Sequence, residues 1–167
     1  MENFGFSLSD RLNHNTMNIS KYCTLEEAVK SDTAIRKGIN NAPNAEQIKA
    51  MQTIALLVYD PLCEKFGKIP FNSFFRSEKL NKAIGGAKTS QHVKGEAIDL
   101  DADTMPKLSN SELFKYIREN MEFDQLIYEF GNSDNPDWVH VSFSSEHNRK
   151  EVLKGEKING KTKYSKM

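Results

Sequence analysis

The stretch Ser90-Gln-His-Val-Lys-Gly-Glu-Ala-Ile-Asp-Leu-Asp101 carries the most informative pattern in this chain. It holds a histidine, His92, and an aspartate, Asp99, seven positions apart, with Gly95 between them. Imidazole nitrogens and carboxylate oxygens are common zinc ligands, and a catalytic zinc site takes three protein ligands and leaves a fourth position for water. The pattern therefore predicts part of a metal site, and the third ligand has to come from another segment.

His140, in the run Pro136–Phe143, is the best third ligand. The run is rich in residues that favour strands, and alternation along a strand directs Trp138 and His140 to the same face. The two remaining histidines of the chain lie in polar, surface-like segments and are poorer candidates. We therefore expect His92, Asp99 and His140 to bind one divalent ion, and nitrogen and oxygen ligands favour zinc.

A hydrolytic metal site also needs a carboxylate that accepts a proton and returns it. Asp137 comes three positions before His140, at the turn that enters the same strand, and is the expected base. Glu129, at the end of the neighbouring predicted strand, is the competing base and could instead orient a histidine. Arg76, directly after the run Phe71–Phe75, is positioned to polarise a scissile carbonyl or to clamp a substrate carboxylate.

Composition indicates a soluble, globular domain of ordinary size. The chain has 167 residues, of which 38% are hydrophobic, and its 23 lysines and arginines balance 23 acids, so charge does not indicate nucleic acid as a partner. The N-terminus lacks the apolar core of a secretory signal, and no apolar run reaches the roughly 18 residues of a membrane span. We expect a monomer that is made in the cytoplasm without a signal peptide, so that any action outside the cell needs another route out, with Cys23 and Cys63 as buried thiols.

The order of the predicted elements, helices first and then short strands joined by turns, indicates an α+β fold with a small antiparallel sheet packed by helices. Thr24–Glu27 is a capping box that begins a helix. Apolar residues at steps of three and four between positions 48 and 62 predict a long helix that Pro61 kinks. Strands are predicted at residues 71–75, 97–101, 124–130 and 138–143.

The chain divides into a polar N-terminal arm (1–20), a single catalytic domain (21–148) and a basic C-terminal tail (149–167). The last nineteen residues hold seven lysines or arginines against two acids. A solvated tail is favoured there over a segment that contacts an anionic polymer.

Residues 74–100 resemble the zinc D-alanyl-D-alanine carboxypeptidase family, whose wider group includes lysostaphin and the hedgehog signalling domain. The segment Thr24–Pro43 is similar to the helical lead-in of a branch common in bacteriophages and prophages. The resemblance covers roughly residues 22–145. The family pattern S-x-H-x-x-G-x-A-x-D and a second pattern of an acid, two residues and a histidine beside a tryptophan are both met, at Ser90, His92, Gly95, Ala97, Asp99, Asp137, Trp138 and His140.

The resemblance implies a zinc peptidase on a hedgehog/DD-peptidase-like fold that cuts an amide bond in peptidoglycan stem peptides. It implies either a D-Ala-D-Ala carboxypeptidase or an L-Ala-D-Glu-type endopeptidase, and an aspartate at position 137, where many members have glutamate or histidine, favours the endopeptidase. The implied roles are metal ligation by His92, Asp99 and His140, catalysis by Asp137 and Arg76, and substrate contact by Ser90, with Gln91 and Trp138 beside it.

The phage-like branch implies a protein that reaches the cell wall after holin release during lysis or as a virion component. The alternative function is a catalytically silent, zinc-containing module that binds the cell wall or serves as a virion structural part. The presence of both Asp137 and Arg76 favours the enzyme. A zinc-stabilised interaction domain would need four protein ligands, and the sequence offers three convincing ones.

Overall fold

A six-stranded sheet organises residues 17–167, the part of the chain that the computed structural model describes. The strands follow the order β1-β2-β4-β3-β5-β6, and every neighbouring pair is antiparallel except β3 with β5. The predicted α+β class is confirmed, with one parallel pair added. The strands are β1 (Phe71–Ser73), β2 (Ala97–Leu100), β3 (Gln125–Glu129), β4 (Trp138–Ser142), β5 (Glu151–Ile158) and β6 (Lys161–Lys166).

Helices precede and interrupt the strands. A π-helical turn over Ala55–Tyr59 joins the third helix to the fourth, and a short 3-10 helix, Gln91–Lys94, precedes β2. The α-helices of the described residues are α1 (Leu25–Val29), α2 (Asp32–Lys37), α3 (Ala45–Ile54), α4 (Asp60–Phe66), α5 (Glu78–Ala83) and α6 (Asn110–Asn120).

The predicted long helix is present, but its irregularity differs from the expected proline kink. Asn44 caps its N-terminus, and the π-helical turn occurs immediately before the helical turn that contains Pro61. Proline lacks an N–H group and its ring clashes with the carbonyl four residues earlier. The wider π turn accommodates the proline ring without a break in the helix. Met51, Val58 and Leu62 therefore stay fully buried on the face that packs against the core.

One face of the sheet packs against the helices and the other carries polar side chains. Ile98 and Leu100 of β2 and Val139 and Val141 of β4 belong to the core and are fully buried. Burial of such a side chain stabilises the fold by about 1.5–3 kcal/mol. Because side chains alternate along a strand, the residues between these positions, among them Asp99 and His140, are directed to the opposite face.

Residues 151–166 form a hairpin that extends the sheet, so the predicted basic tail is wrong. β5 pairs in parallel with β3, and β6 pairs back onto β5. Asn159 (φ 53°) and Gly160 (φ 74°) form the tight turn between them, and Asn-Gly is a strong signal for a two-residue hairpin turn. All six residues of β6 are exposed, which explains why its composition resembles that of a tail.

The end of the predicted N-terminal arm packs against the domain. Ile19 is buried, and Asn18 forms an isolated β-bridge with Thr24. Residues 1–16 of the arm lie outside the described part of the chain. Cys23 and Cys63 are free and buried, as expected. Within residues 17–167, none of the helices has the length and apolar character that crossing a bilayer requires.

Candidate metal centre

Three segments bring the predicted ligands together. Asp99 of β2 and His140 of β4 are directly opposite each other in the antiparallel ladder, and His92 comes from the 3-10 helix that leads into β2. Gly95 ends this helix at φ 77°, and a Cβ atom there would lie 2.6 Å from the carbonyl oxygen of Gln47. Glycine is therefore required both by the backbone conformation and by the close approach of α3.

The ligand atoms of His92, Asp99 and His140 converge on one point. Asp99 Oδ1 lies 3.1 Å from His92 Nε2 and 2.9 Å from His140 Nδ1, and the two ring nitrogens are 3.3 Å apart. All three side chains are buried, and together they form a group that could hold a metal ion. The structure thus brings together the three residues that the sequence pattern selected.

The hydrogen bonding of His92 fits a metal ligand. Its Nδ1 lies 2.7 Å from the carbonyl oxygen of Phe74, so Nδ1 carries the proton and donates. A neutral His92 then has a lone pair on Nε2, which faces the carboxylate of Asp99. Converging lone pairs repel one another unless a cation or a proton lies between them. A zinc-binding histidine is usually oriented by a hydrogen bond from its other ring nitrogen to a carbonyl or carboxylate oxygen, as Nδ1 of His92 is here.

Electrostatics keep His92 and Asp99 in the protonation states that metal binding requires. Burial lowers the pKa of the His92 imidazole below its usual value, which favours the neutral ring. Burial by itself would raise the pKa of the Asp99 carboxyl, but its favourable interactions with His92 and His140 outweigh burial and hold that pKa well below its usual range. The group therefore presents a carboxylate and a neutral imidazole near pH 7.

Arg76 binds the carboxylate oxygen of Asp99 that does not contact the two histidines. Its Nη2 lies 2.6 Å from Asp99 Oδ2, and its Nε donates to the hydroxyl of Ser73 at 2.8 Å. The backbone N–H of Arg76 also donates to the carbonyl of His92 at 3.2 Å. Nη1 forms no hydrogen bond with any residue that the structure describes, so this nitrogen is available for a substrate oxygen.

Glu129 lies beside the cluster on the same face of the sheet. It pairs with Trp138 across β3 and β4, it is 5% exposed, and it lines the same cavity as the three ligands. Its Oε2 has no hydrogen-bond partner within residues 17–167, while Tyr164 Oη donates to Oε1 at 3.3 Å. Burial raises the pKa of Glu129 to about 7, against the opposing effect of His140.

Asp137, which the sequence predicts as the base, is not among the residues that line the cavity of the cluster. Its side chain is exposed and lines a different cavity, beside Gly131 and Lys157. The physical reason is strand alternation: Trp138 and His140 face the cluster, and the residue before Trp138 belongs to the turn that enters β4. Its backbone N–H donates to the carbonyl of Glu129 at 2.9 Å, so the two carboxylates are neighbours in the ladder but point to different cavities.

The residues expected to contact substrate all line the cluster's cavity, which has a volume of about 560 Å³. The Gln91 amide is already engaged, since its Nε2 donates to Asp124 Oδ2 at 2.9 Å. Trp138 packs with Phe130, at 5.1 Å between ring centroids.

Sequence reasoning missed the part of the site that β5 and β6 provide. Leu153 and Tyr164 line the cavity, and Tyr164 contacts Glu129 directly. The Asn159-Gly160 turn signal could have revealed this hairpin. The predominance of lysine in the segment obscured the pattern.

A His–Asp–His group with a carboxylate and an arginine beside it, on one face of an α+β sheet, is the arrangement of a metal-dependent hydrolase. Residues 21–142 match the Peptidase M15 family, and the chain therefore belongs to that family of peptidases. Peptidases of this family are zinc enzymes, in agreement with the nitrogen and oxygen ligands found here. No curated protein matches the chain.

Proposed function

We propose that this protein is a zinc peptidase that hydrolyses an amide bond in peptidoglycan stem peptides, with Glu129 as its general base and acid. The observation that carries the proposal is the cavity that the buried group of His92, Asp99 and His140 shares with Glu129, a buried carboxyl whose Oε2 has no hydrogen-bond partner within residues 17–167. Membership of the Peptidase M15 family supports hydrolysis of a peptide bond as the reaction and zinc as the metal.

Zinc held by these three side chains would lower the pKa of a bound water to about 7 and polarise a carbonyl. Glu129 Oε2 takes up a proton in the cavity and returns it to the leaving nitrogen. Tyr164 holds the other carboxylate oxygen, so Oε2 is the atom left for proton transfer. A carboxyl whose pKa is near the working pH is suited to both directions of transfer, and burial provides that here.

Arg76 has two tasks in this proposal. Its contacts with Asp99 and Ser73 fix the orientation of a metal ligand, and its free Nη1 donates to the oxygen of the scissile carbonyl as negative charge develops there. Ser90 and Trp138 are proposed as substrate contacts because they line the cavity and their side chains border its open space. Asp137 is left without a part in the chemistry.

The proposed site of action is the bacterial cell wall, reached after lysis or with a virion. This follows the resemblance of residues 24–43 to a branch common in phages and prophages. The alternative, a silent zinc-containing module that binds the wall, makes a different prediction for the same sample, since it binds zinc and wall fragments without releasing products.

The test is metal analysis together with digestion of purified peptidoglycan. The zinc-loaded protein is expected to hold about one zinc per chain and to release stem-peptide fragments, which mass spectrometry identifies. His140→Ala is expected to lose both the zinc and the fragments. Zinc without fragments from several wall types would support the silent module, and absence of zinc would contradict the proposed site altogether.

A further inference from the structure

Two glutamines line the cavity of the metal cluster, Gln91 in the 3-10 helix beside His92 and Gln125 at the start of β3. Each donates a hydrogen bond from its amide nitrogen to a carboxylate. Gln91 Nε2 lies 2.9 Å from Asp124 Oδ2, and Gln125 Nε2 lies 2.7 Å from Glu151 Oε2. An ionised carboxylate only accepts hydrogen bonds, so the nitrogen of each amide has to face it. The orientation of both amide groups is therefore fixed by their partners.

Arg149 joins the two carboxylates. Its Nη2 lies 2.6 Å from Asp124 Oδ2, and its Nη1 lies 3.4 Å from Glu151 Oε2. Its Nε and its backbone N–H also donate to Asp124 Oδ1, at 2.8 and 3.0 Å. Charge-assisted bonds of this kind are the stronger ones in proteins. The five residues, here called the glutamine network, are Gln91, Asp124, Gln125, Arg149 and Glu151.

The amide oxygens of Gln91 and Gln125 are the polar atoms that this network leaves free. Neither Oε1 accepts a hydrogen bond from another group within residues 17–167. In the same part of the chain, Glu129 Oε2 is fully buried without a partner, whereas neither glutamine oxygen is sealed in this way. Water or a ligand can therefore reach both oxygens. The cavity thus has two oriented carbonyl acceptors that an N–H donor can use.

The register of the sheet places Gln125 relative to the metal ligands. His140 of β4 pairs with Asp99 on one side and with Ile127 on the other. Gln125 precedes Ile127 by two residues on the same face, about 7 Å along the strand, and Glu129 lies as far in the opposite direction. An extended peptide advances about 3.3–3.6 Å per residue. A substrate held at the metal row can therefore reach Gln125 with a group about two residues from the scissile bond.

We propose that Gln91 and Gln125 form a specificity subsite that accepts a hydrogen bond from a backbone N–H of the substrate, about two residues from the scissile bond, with Arg149 as its positioning residue. This rests on the proposed function and adds the chemical group that the subsite recognises. Arg149 lies beyond residues 21–142, the part matched by the family, so the segment leading into β5 takes part in substrate recognition.

The experiment uses synthetic stem peptides in which one backbone amide at a time, other than the scissile one, is replaced by an ester. Each replacement removes a single N–H donor. With zinc-loaded wild type, we expect an ester about two residues from the scissile bond to raise KM about three- to tenfold and to leave kcat nearly unchanged. Mass spectrometry confirms that every peptide is cut at the same bond.

Gln125→Met keeps the length of the side chain and removes the acceptor. We expect KM for the all-amide peptide to rise about three- to tenfold, and the amide and the sensitive ester then to differ by less than about twofold. Gln52→Met, in α3 and outside the lining of the cavity, is the matched control and should keep the wild-type KM values. An ester-to-amide ratio of KM that is the same in wild type and Gln125→Met would overturn the subsite.

Arg149→Gln tests the positioning role. We expect it to keep its zinc and its kcat, to raise KM for the all-amide peptide and to leave KM for the sensitive ester unchanged. A purely structural role would change the kinetics of amide and ester by the same factor, and that result would overturn the assignment of Arg149.

The same peptides separate failure of the subsite from failure of the proposed function. Cleavage by wild type with equal KM for every ester would overturn the subsite and leave the peptidase intact. Cleavage of no stem peptide and of no purified wall by the zinc-loaded protein would overturn the proposed function and this inference with it.

Discussion

Glu129 of β3 lies opposite Gly155 of β5, and a Cβ atom at Gly155 would come within 2.6 Å of Glu129 Oε2. The same Cβ would lie 2.9 Å from the ring of Tyr164 on β6. The missing side chain leaves the space in which the carboxylate and the tyrosine meet. The hairpin of β5 and β6, which lies beyond the residues matched by the family, is therefore part of the candidate site.

Gly155→Ala is expected to lower kcat about tenfold or more without loss of zinc. The added methyl group collides with the end of the Glu129 side chain, and the carboxylate has to leave its present position. The φ angle of Gly155 is negative or extended, so alanine introduces no left-handed strain. Steady-state kinetics and metal analysis on the same sample check the prediction, and wild-type kcat would contradict the proposed place of Glu129.

Tyr164→Phe is expected to lower kcat about two- to tenfold with KM unchanged. The substitution removes one hydrogen bond to Glu129 Oε1 and keeps the ring, and such a bond contributes about 0.5–1.5 kcal/mol. Thr162→Ala, on the same exposed strand, is the control and is expected to behave as wild type. A Tyr164→Phe enzyme with unaltered kcat would show that the hydroxyl does not hold the carboxylate during turnover.

Arg149 and Asp124 predict a pH-dependent contribution to stability. Hydrogen bonds from the Arg149 side chain lower the pKa of the buried Asp124 from 3.8 to about 2, so the folded pKa lies below the unfolded one. The contribution is fully present above about pH 4 and is lost as the pH falls through about 2. Because Arg149 is half exposed, we expect Arg149→Gln to cost about 1 kcal/mol at pH 7.

Urea unfolding at pH 7 and at about pH 2.5 checks this prediction. The difference in free energy of unfolding between wild type and Arg149→Gln should be clear at pH 7 and much smaller at the lower pH. An equal difference at both pH values would mean that the arginine stabilises the fold by packing alone.

Substitution of the buried Asn110 is expected to lower the free energy of unfolding strongly. Its Oδ1 accepts from the N–H of Ala102 at 2.7 Å, and its Nδ2 donates to the carbonyls of Pro136 and Asp137 at 3.2 and 3.1 Å. It joins the segment after β2 to the turn that enters β4, which carries His140. Asn110→Ala leaves these groups unpaired, so we expect a loss of about 2–4 kcal/mol in urea unfolding. A loss below about 0.5 kcal/mol would contradict this.

The metal ligands were predictable from sequence because their chemistry is local. The spacing of His92 and Asp99 around a glycine and the strand alternation at His140 are sufficient to select them. The identity of the base stays a prediction, for which the sequence favours Asp137 and offers Glu129 as the competing residue, and the structure places Glu129 in the cavity of the cluster. Asp137 is close to His140 along the chain, but Glu129 is brought beside the cluster by pairing of β3 with β4, which sequence proximity does not reveal.

The same distinction between local and distant signals separates the elements of the fold that the sequence predicts from those that it does not. Caps such as Thr24 and Asn44 and the apolar periodicity of α3 predict the helices, because both signals are contained within a few residues. The position of β5 depends on a parallel pairing with β3 some 26 residues earlier (Gln125 with Glu151), and lysine-rich β6 is exposed along its whole length. Neither strand has the apolar alternation of a buried element, so composition alone indicated a tail.

The most direct test of the central claim compares Glu129→Gln with Asp137→Asn, two substitutions that each replace a carboxyl group by an amide of the same shape. Zinc content and release of stem-peptide fragments are measured on both and on wild type. We predict about one zinc in all three, a rate at least about 100-fold lower in Glu129→Gln, and a nearly wild-type rate in Asp137→Asn. An active Glu129→Gln enzyme beside an inactive, zinc-loaded Asp137→Asn enzyme would contradict the account.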